Sequence, residues 1–220
     1  MAINRMTTIE VRNMIDKIQW LGHGSFVIEG PPIIYINPWR VTSRTFHPDV
    51  ILVGHDHYEH FSLADIKKLR GPDTLVVSNE VVADQIDSCM ILRPWQSVTI
   101  DSASIKAIPA YSPEDLRHPI EAGGIGFIIS MNLYDIYYAG DTQAIPEMDY
   151  IHPDIALLPI DGNGTLTPES AADIVGKIRP RWAIPYNFGA LPDGANSHDA
   201  QSFKNAVAER AKVIIPNKMA

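Results

Sequence analysis

The sequence predicts an α/β protein in which two β-sheets pack face to face and helices cover the outside. Two observations predict this class. Short, continuous, β-branched apolar runs come first along the chain, and such runs are typical of buried strands. Further strands then alternate with segments whose apolar residues recur at helical spacing. No linker or repeat interrupts this pattern, so we expect a single domain over residues 1–220, with its core at about 17–215.

Turn and capping residues place the individual elements. The link 23–24 is short enough for a hairpin, and the Gly-Pro-Pro sequence at 30–32 is a turn. Thr167 and Pro168 supply a cap and a first-turn proline, which together indicate a helix start. Helices are expected to begin near 62, 79, 167 and 199. Strands are expected at 17–22, 25–29, 33–36, 50–53, 74–77, 90–92, 97–100, 104–108, 125–129, 134–138, 155–159, 182–185 and 213–215.

Composition limits the class of protein. Hydrophobic residues make up 45% of the chain and charged residues 20%, which is the balance of a soluble globular protein. No apolar run approaches the ~20 residues that cross a bilayer, and residues 1–16 lack the apolar centre of a secretory signal. Cys89 is the single cysteine, so an intrachain disulfide is excluded. We therefore expect a cytoplasmic protein with no membrane partner.

The net charge of −8 argues against a nucleic-acid partner, because the phosphate backbone selects basic surfaces. It does not exclude an anionic substrate, since bound metal ions can dominate the local field. We expect a small-molecule partner, and assembly into a homo-oligomer is also expected because symmetric assemblies are common.

A histidine-rich motif, His-Asp-His-Tyr-Glu-His at 55–60, directly follows the predicted strand at 50–53. In extended backbone, side chains two residues apart point the same way, so His55 and His57 can converge on one ion. Glu59 and His60 follow after the chain begins to turn and can face a second point nearby. A solvated polar loop is the alternative. Packing does not call for this density of histidines and carboxylates, so the motif favours metal binding.

Several further motifs accompany the histidine cluster in a fixed order: Trp-Leu-Gly-His-Gly-Ser-Phe at 20–26, Pro-Ala-Tyr at 109–111, His-Pro at 118–119, Tyr-Ala-Gly-Asp-Thr at 138–142 and Ile-Pro-Tyr-Asn at 184–187. Together they show that the chain resembles the metallo-β-lactamase-fold hydrolases. Within these it resembles the small single-domain group related to ascorbate-6-phosphate lactonase. The resemblance implies a four-layer αββα sandwich with the site at one edge, between the two sheets.

The resemblance also implies roles for individual residues. One or two divalent ions, zinc or manganese, would be bound, and a metal-activated water would be the nucleophile. Asp141 would bridge the metals, and Asp141 and His60 are the expected catalytic residues. The implied metal ligands are His55, His57, Glu59, His60, His118, Asp141 and Asn187.

Three positions depart from the family pattern. Glu59 stands where Asp is usual, Asn187 where a final His is usual, and Asn37 where Asp usually anchors a ligand. An amide oxygen is a weaker zinc ligand than imidazole, although a hard cation accepts it. We therefore expect an intact first metal site and a second site that is weak, oxygen-rich or empty. If filled, it would suit Mn²⁺ better than Zn²⁺.

The remaining candidates each have two interpretations. Loop arginines could hold an anionic substrate group or could simply be solvated, and the aromatic candidates could line a pocket or pack. His23 could lie near the site or stabilise the hairpin, and His198 could replace the missing ligand or lie on the surface, as expected for His47 and His152. The loop arginines are Arg40, Arg44 and Arg117, and the aromatic candidates are Trp39, Tyr111 and Tyr186.

The sequence thus predicts a metal-dependent hydrolase that uses a metal-activated water on a small ester-type substrate, such as a phosphodiester, a lactone or a similar anionic ester. The alternative is a catalytically impaired protein that kept the fold and binds a metal or ligand. The changes at Asn37, Glu59 and Asn187 favour this alternative.

Overall fold

The computed structural model describes residues 13–42, 47–189 and 195–218. Within them the chain forms two β-sheets. The first sheet contains, in spatial order, β1 (Ile18–Gly22), β2 (Ser25–Ile28), β3 (Ile34–Ile36), β4 (Val50–Val53), β5 (Leu75–Ser78) and β6 (Cys89–Ile91). The second contains β7 (Ser97–Ile100), β8 (Ala103–Pro109), β9 (Ile125–Met131), β10 (Tyr134–Tyr138), β11 (Ile155–Pro159), β12 (Trp182–Tyr186) and β13 (Lys212–Val213).

The α-helices begin where side chains cap their first turn. Ser62 accepts from the Asp65 N–H and Asn79 from the Val82 N–H, while Thr167 belongs to a capping box. None of the helices in the described part of the chain is long and apolar enough to cross a membrane. They are α1 (Leu63–Leu69), α2 (Glu80–Ala83), α3 (Pro168–Ile178) and α4 (Ser197–Val207).

Two predicted elements shift near the carboxyl-terminal end. Helix α4 begins two residues before its expected start at 199, because the Asn196 side chain caps the His198 N–H. A short 3₁₀ turn, Ala208–Arg210, follows the helix. The last strand is Lys212–Val213 rather than 213–215, and it pairs in parallel with β12.

Apolar side chains alternate between the two faces of the first sheet, which confirms the four-layer arrangement. Phe26 and Ile28 of β2 point into the core between the sheets. Val27 lies in a separate cluster on the opposite face, where Ile66 and Leu69 of α1 cover the sheet. Helices α3 and α4 pack on β11 and β12 of the second sheet. Helices therefore cover the outer face of each sheet, as the fold class requires.

The two sheets are joined along one edge. The Ile125 N–H at the start of β9 donates to the Gly54 carbonyl just after β4 (3.0 Å). Since β10, β11 and β12 run parallel, their carboxyl ends meet at a single edge of the second sheet. This edge adjoins the end of β4, so loops from both sheets converge there.

An aromatic cluster supports this edge from beneath. The rings of Tyr138 and Tyr186 stack with centroids 4.9 Å apart, and Phe26 meets both of them edge-on at 6.2 and 5.8 Å. All three side chains are fully buried. The Tyr186 hydroxyl donates to the Gly140 carbonyl (2.7 Å), so the cluster fixes the backbone that precedes Asp141.

Phe26→Ala is expected to lower the free energy of unfolding by about 3–5 kcal/mol, because it removes a buried aromatic ring and leaves a cavity between the sheets. Urea unfolding followed by circular dichroism measures this loss. Leu116→Ala is the control, since Leu116 is 94% exposed, and it should change the free energy by less than about 0.5 kcal/mol. Equal effects of the two substitutions would contradict the role of Phe26 in the core.

Candidate metal centre

The histidine motif begins two residues after β4, where the strand leaves the sheet. His55 is 8% exposed and His60 is fully buried, while His57 is half-buried. The chain then turns, because the N–H groups of His60 and Phe61 both donate to the His57 carbonyl (2.9 and 2.8 Å). This turn brings His60 back towards His55, and their rings lie 4.6 Å apart.

Asp141 follows β10 and lies at the centre of the cluster. Its Oδ2 atom is 3.2 Å from Nε2 of His60, 3.5 Å from Nε2 of His118 and 3.8 Å from Nε2 of His55. His118 comes from the loop between β8 and β9, and its ring lies 4.8 Å from that of His57. Three separate loops therefore supply the side chains of this centre.

The donor atoms of this cluster fit a divalent ion. Nε2 of His55, His60 and His118 is buried and has no hydrogen-bond partner among the described residues. Two ligands at about 2.1 Å from a tetrahedral zinc ion are about 3.4 Å apart, which is close to the separations around Asp141 Oδ2. One group of ligand atoms within 4.8 Å of each other comprises His55, His57 and His118. An uncompensated cluster of buried polar atoms is costly unless a bound group satisfies it.

Neighbouring groups orient several of these side chains. His118 Nδ1 lies 3.0 Å from the Gly164 carbonyl. Asn187 follows β12, and its Nδ2 donates to Asp141 Oδ1 (3.0 Å), while its own Oδ1 is buried with no hydrogen-bond partner in the described part of the chain. Asn37 follows β3 and lies behind His60, with 3.0 Å between Asn37 Nδ2 and His60 Nδ1. Such supporting contacts set ligand orientation in metal sites.

Burial and mutual proximity set the charge states. Burial raises the pKa of Asp141, but His60, His55 and His118 outweigh it and hold the pKa well below its ordinary range. Burial lowers the pKa of His55 well below 6.5 and that of His57 less strongly. Burial, with the neighbouring His60, also lowers the pKa of His23 to about 3. Burial also disfavours a charge on His60, but the adjacent Asp141 outweighs it and raises the pKa of His60 above 6.5. Asp141 is thus an anion, and His55 and His57 are held in the neutral form that binds metals.

Two further groups of candidate ligand atoms share His60, and one of them joins it to His55 and Asp141. His23, Glu59 and His60 bring ligand atoms within 4.8 Å of one another, and Glu59 Oε2 is buried without a partner among the described residues. His198 does not join this group, because it lies exposed in the first turn of α4. His47 and His152 are also exposed.

The remaining sequence candidates are aromatic residues and loop arginines. Tyr186 is a packing residue, and Tyr111 donates its hydroxyl hydrogen to Glu147 (3.1 Å). The Arg40 guanidinium lies 4.1 Å above the Trp39 ring, and Arg117 lines a small cavity beside the histidines. Arg44 lies outside the described residues.

Asp161 is a site residue that the sequence analysis missed. It follows β11, and burial, together with the nearby Asp141, raises its pKa to about 6. Thr165 donates a hydrogen bond to it. The signal that could have found it is positional, because Asp161 follows β11, which lies between β10 and β12, the strands that precede Asp141 and Asn187.

A four-layer sandwich with buried histidines gathered around a buried aspartate, at the edge where two sheets meet, defines a metallohydrolase-type protein. Comparison with known proteins names the family. The family model described as "Beta-lactamase superfamily domain" matches residues 17–187, and the chain belongs to this family.

Individual relatives agree with this family. A UPF0173 metal-dependent hydrolase from Thermococcus kodakarensis is 32% identical over 216 residues, covering 90% of this chain and 95% of its own. A structure from Parabacteroides distasonis, described as a metal-dependent hydrolase, superposes with a TM-score of 0.79 at 26% identity, covering 92% and 93% of the two chains. Igni18, a metallo hydrolase from Ignicoccus hospitalis, gives 0.76 at 25% identity, covering 91% and 94%. The chain is accordingly a metal-dependent hydrolase.

Acid is expected to destabilise the metal-free chain through its buried histidines. The folded-state pKa of His23 is about 3, so between pH 6.5 and 3 the unfolded chain binds a proton that the folded chain excludes. The free energy of unfolding then falls as the pH falls, by up to about 1.4 kcal/mol per pH unit for each such group. Urea unfolding between pH 8 and 4 measures the slope.

His23→Asn should reduce this slope, while His152→Asn, at an exposed position, should leave it unchanged. The comparison separates the effect of His23 from that of Asp161. The raised pKa of Asp161 increases the free energy of unfolding as the pH falls below 6. Identical slopes in the native chain and His23→Asn would contradict the assigned shift.

Proposed function

We propose that His55, His57, His118 and Asp141 hold one divalent ion, and that the chain uses it to hydrolyse a small anionic ester. The observation that carries this proposal is the convergence of unpartnered, buried imidazole nitrogens on Asp141 Oδ2. Three imidazoles and one carboxylate favour zinc, since imidazole suits zinc better than it suits hard cations.

A bound divalent ion would supply a nucleophile at neutral pH by lowering the pKa of a water from 15.7 to about 7, and would offset negative charge on the attacked centre. The protein supplies the orientation. Asp141 stays ionised, and the Gly164 carbonyl fixes the His118 ring. A cavity of about 20 Å³ beside His57 and Arg117 has room for about one water.

Cationic side chains border the site and support an anionic substrate. Arg117 lines the small cavity, where its Nη1 donates to Asn163 Oδ1 (3.1 Å). A larger cavity of about 480 Å³ lies beyond Trp39, and it is lined by Arg40 and Lys218 but by no carboxylate among the described residues. In a chain of net charge −8, the excess of cations in this larger cavity favours a phosphodiester, phosphorylated lactone or similar ester.

We place the reaction in the cytoplasm. A chain with a single cysteine cannot form an intrachain disulfide, so an oxidising compartment would not stabilise it. The second metal position, around Glu59, His60 and Asn187, is expected to be weak or empty, because Asn187 presents its amino group to Asp141. If filled, its oxygen-rich set would suit Mn²⁺.

His118→Ala is expected to raise the zinc dissociation constant by more than about 100-fold, because it removes a ligand that the Gly164 carbonyl has pre-oriented. Competition with a chromogenic chelator measures this constant without any substrate. His152→Ala is the matched control, since it removes an exposed histidine, and it should leave the constant unchanged. Equal affinities of the native chain and His118→Ala would overturn the assignment of this ligand.

Zinc-loaded protein is expected to hydrolyse a generic phosphodiester or lactone, and both the chelator and His57→Ala should abolish turnover. Zinc-loaded His152→Ala, with an exposed histidine replaced, is the control and should keep its turnover, and readdition of zinc to the chelated native chain should restore it. Tight binding of these compounds without turnover, with zinc or manganese, would instead support the alternative that the chain is a binding protein that kept the fold. Asn37 and Asn187 favour that alternative.

A further inference from the structure

His60 and His118 both face Asp141, but their outer ring nitrogens meet opposite kinds of group. His118 Nδ1 lies 3.0 Å from the Gly164 carbonyl oxygen. A carbonyl can only accept, so Nδ1 carries the hydrogen and Nε2 turns its lone pair to the site. His60 Nδ1 lies 3.0 Å from Nδ2 of Asn37, an amino group that can only donate. Nδ1 of His60 must therefore accept, which leaves the ring hydrogen on Nε2.

The orientation of the Asn37 amide follows from its other contacts. The Gly54 backbone N–H donates to Asn37 Oδ1 (2.9 Å), and a backbone N–H cannot accept, so the oxygen must be on that side. One amino hydrogen then points to the Tyr138 hydroxyl (2.9 Å) and the other to His60. The Tyr138 hydroxyl passes its own hydrogen to the Gly24 carbonyl (3.0 Å). If the amide were turned over, the Asn37 amino group would face the Gly54 N–H, and two hydrogen-bond donors would meet.

Asn187 adds a second donor at the same place. Its Nδ2 donates to Asp141 Oδ1 (3.0 Å), while His60 Nε2 lies 3.2 Å from Asp141 Oδ2. Hydrogen-bond donors thus face both oxygens of this carboxylate on the side where the family resemblance implies a second ion. A cation and a hydrogen on Nε2 cannot both occupy the inner face of His60.

We propose that Asn37 keeps the ring hydrogen of His60 on Nε2, so that His60 serves as a hydrogen-bond donor in the site and not as a metal ligand. This inference rests on the proposed function, because it assigns the single ion to the three-histidine position. The Nε2 hydrogen faces the Asp141 carboxylate at the edge of the site, where a substrate oxygen could share it. Asn37 is a positioning residue in this scheme.

Asn37→Asp is the decisive substitution. A carboxylate at this position accepts from the Gly54 N–H with one oxygen and from a His60 Nδ1–H with the other, which turns the Nε2 lone pair to the site. Asn132→Asp is the matched control. It adds the same charge at an exposed asparagine with a similar left-handed backbone, φ 51° against 45° for Asn37, so backbone and net-charge effects are held constant.

The first measurement is the tautomer of His60 in metal-free protein, read from long-range ¹H–¹⁵N correlations at alkaline pH and assigned with His60→Gln. The native chain and Asn132→Asp should show the hydrogen on Nε2, and Asn37→Asp should show it on Nδ1. A native His60 with its hydrogen on Nδ1 overturns the inference. This native result needs no bound metal and does not depend on whether Asn37→Asp folds.

The second measurement is metal content after dialysis against excess zinc or manganese. One ion per chain is expected in the native protein, in Asn132→Asp and in Asn187→His, since His60 remains a donor in each. Two ions are expected in Asn37→Asp combined with Asn187→His. A second ion in the native chain, or in Asn187→His alone, overturns the inference. A native chain that binds no ion overturns the proposed function, while the tautomer measurement still decides the role of His60.

Discussion

The carboxylate of Asp141 is a buried charge, and the loops of both sheets are arranged to compensate it. An ionised group removed from water is costly unless neighbours satisfy it. Here, imidazoles from the loops after β4 and β8 and an amide from the loop after β12 surround both oxygens. The stacked tyrosines beneath hold the backbone at Gly140. The arrangement of strand ends, aromatic core and histidine loops thus depends on one anion.

Local patterns in the sequence were enough to place most of this structure. The apolar run at 50–53 and the histidines after it predicted both the strand and the convergence of His55 with His57, because side-chain alternation is a local property. His118, Asp141 and Asn187 are far apart in the chain, and only the family resemblance brought them together. Asp161 was missed because its role follows from strand order, which spacing along the chain does not reveal.

The direction of a hydrogen bond was beyond prediction. At the sequence level, Asn37 preserves the hydrogen bonding of an aspartate and loses only its charge. In the folded chain, the Gly54 N–H donates to the amide oxygen of Asn37, so the amino group must face His60. Asn37 is then the donor to His60, whereas an aspartate would be the acceptor. An amide in place of a carboxylate at position 37 therefore changes both the local charge and the ring nitrogen of His60 that carries the hydrogen in our proposal.

The bond between His118 and the Gly164 carbonyl connects the loop before β9 to the loop after β11. Gly164 has a left-handed backbone, and a side chain there would press on His118 and Arg117. The two loops therefore cannot diversify independently in descendants of this protein. Insertions in either loop would also disturb the orientation of the His118 ring. New substrate preferences should therefore evolve more readily through changes on the opposite side of the site, around Trp39 and Arg40.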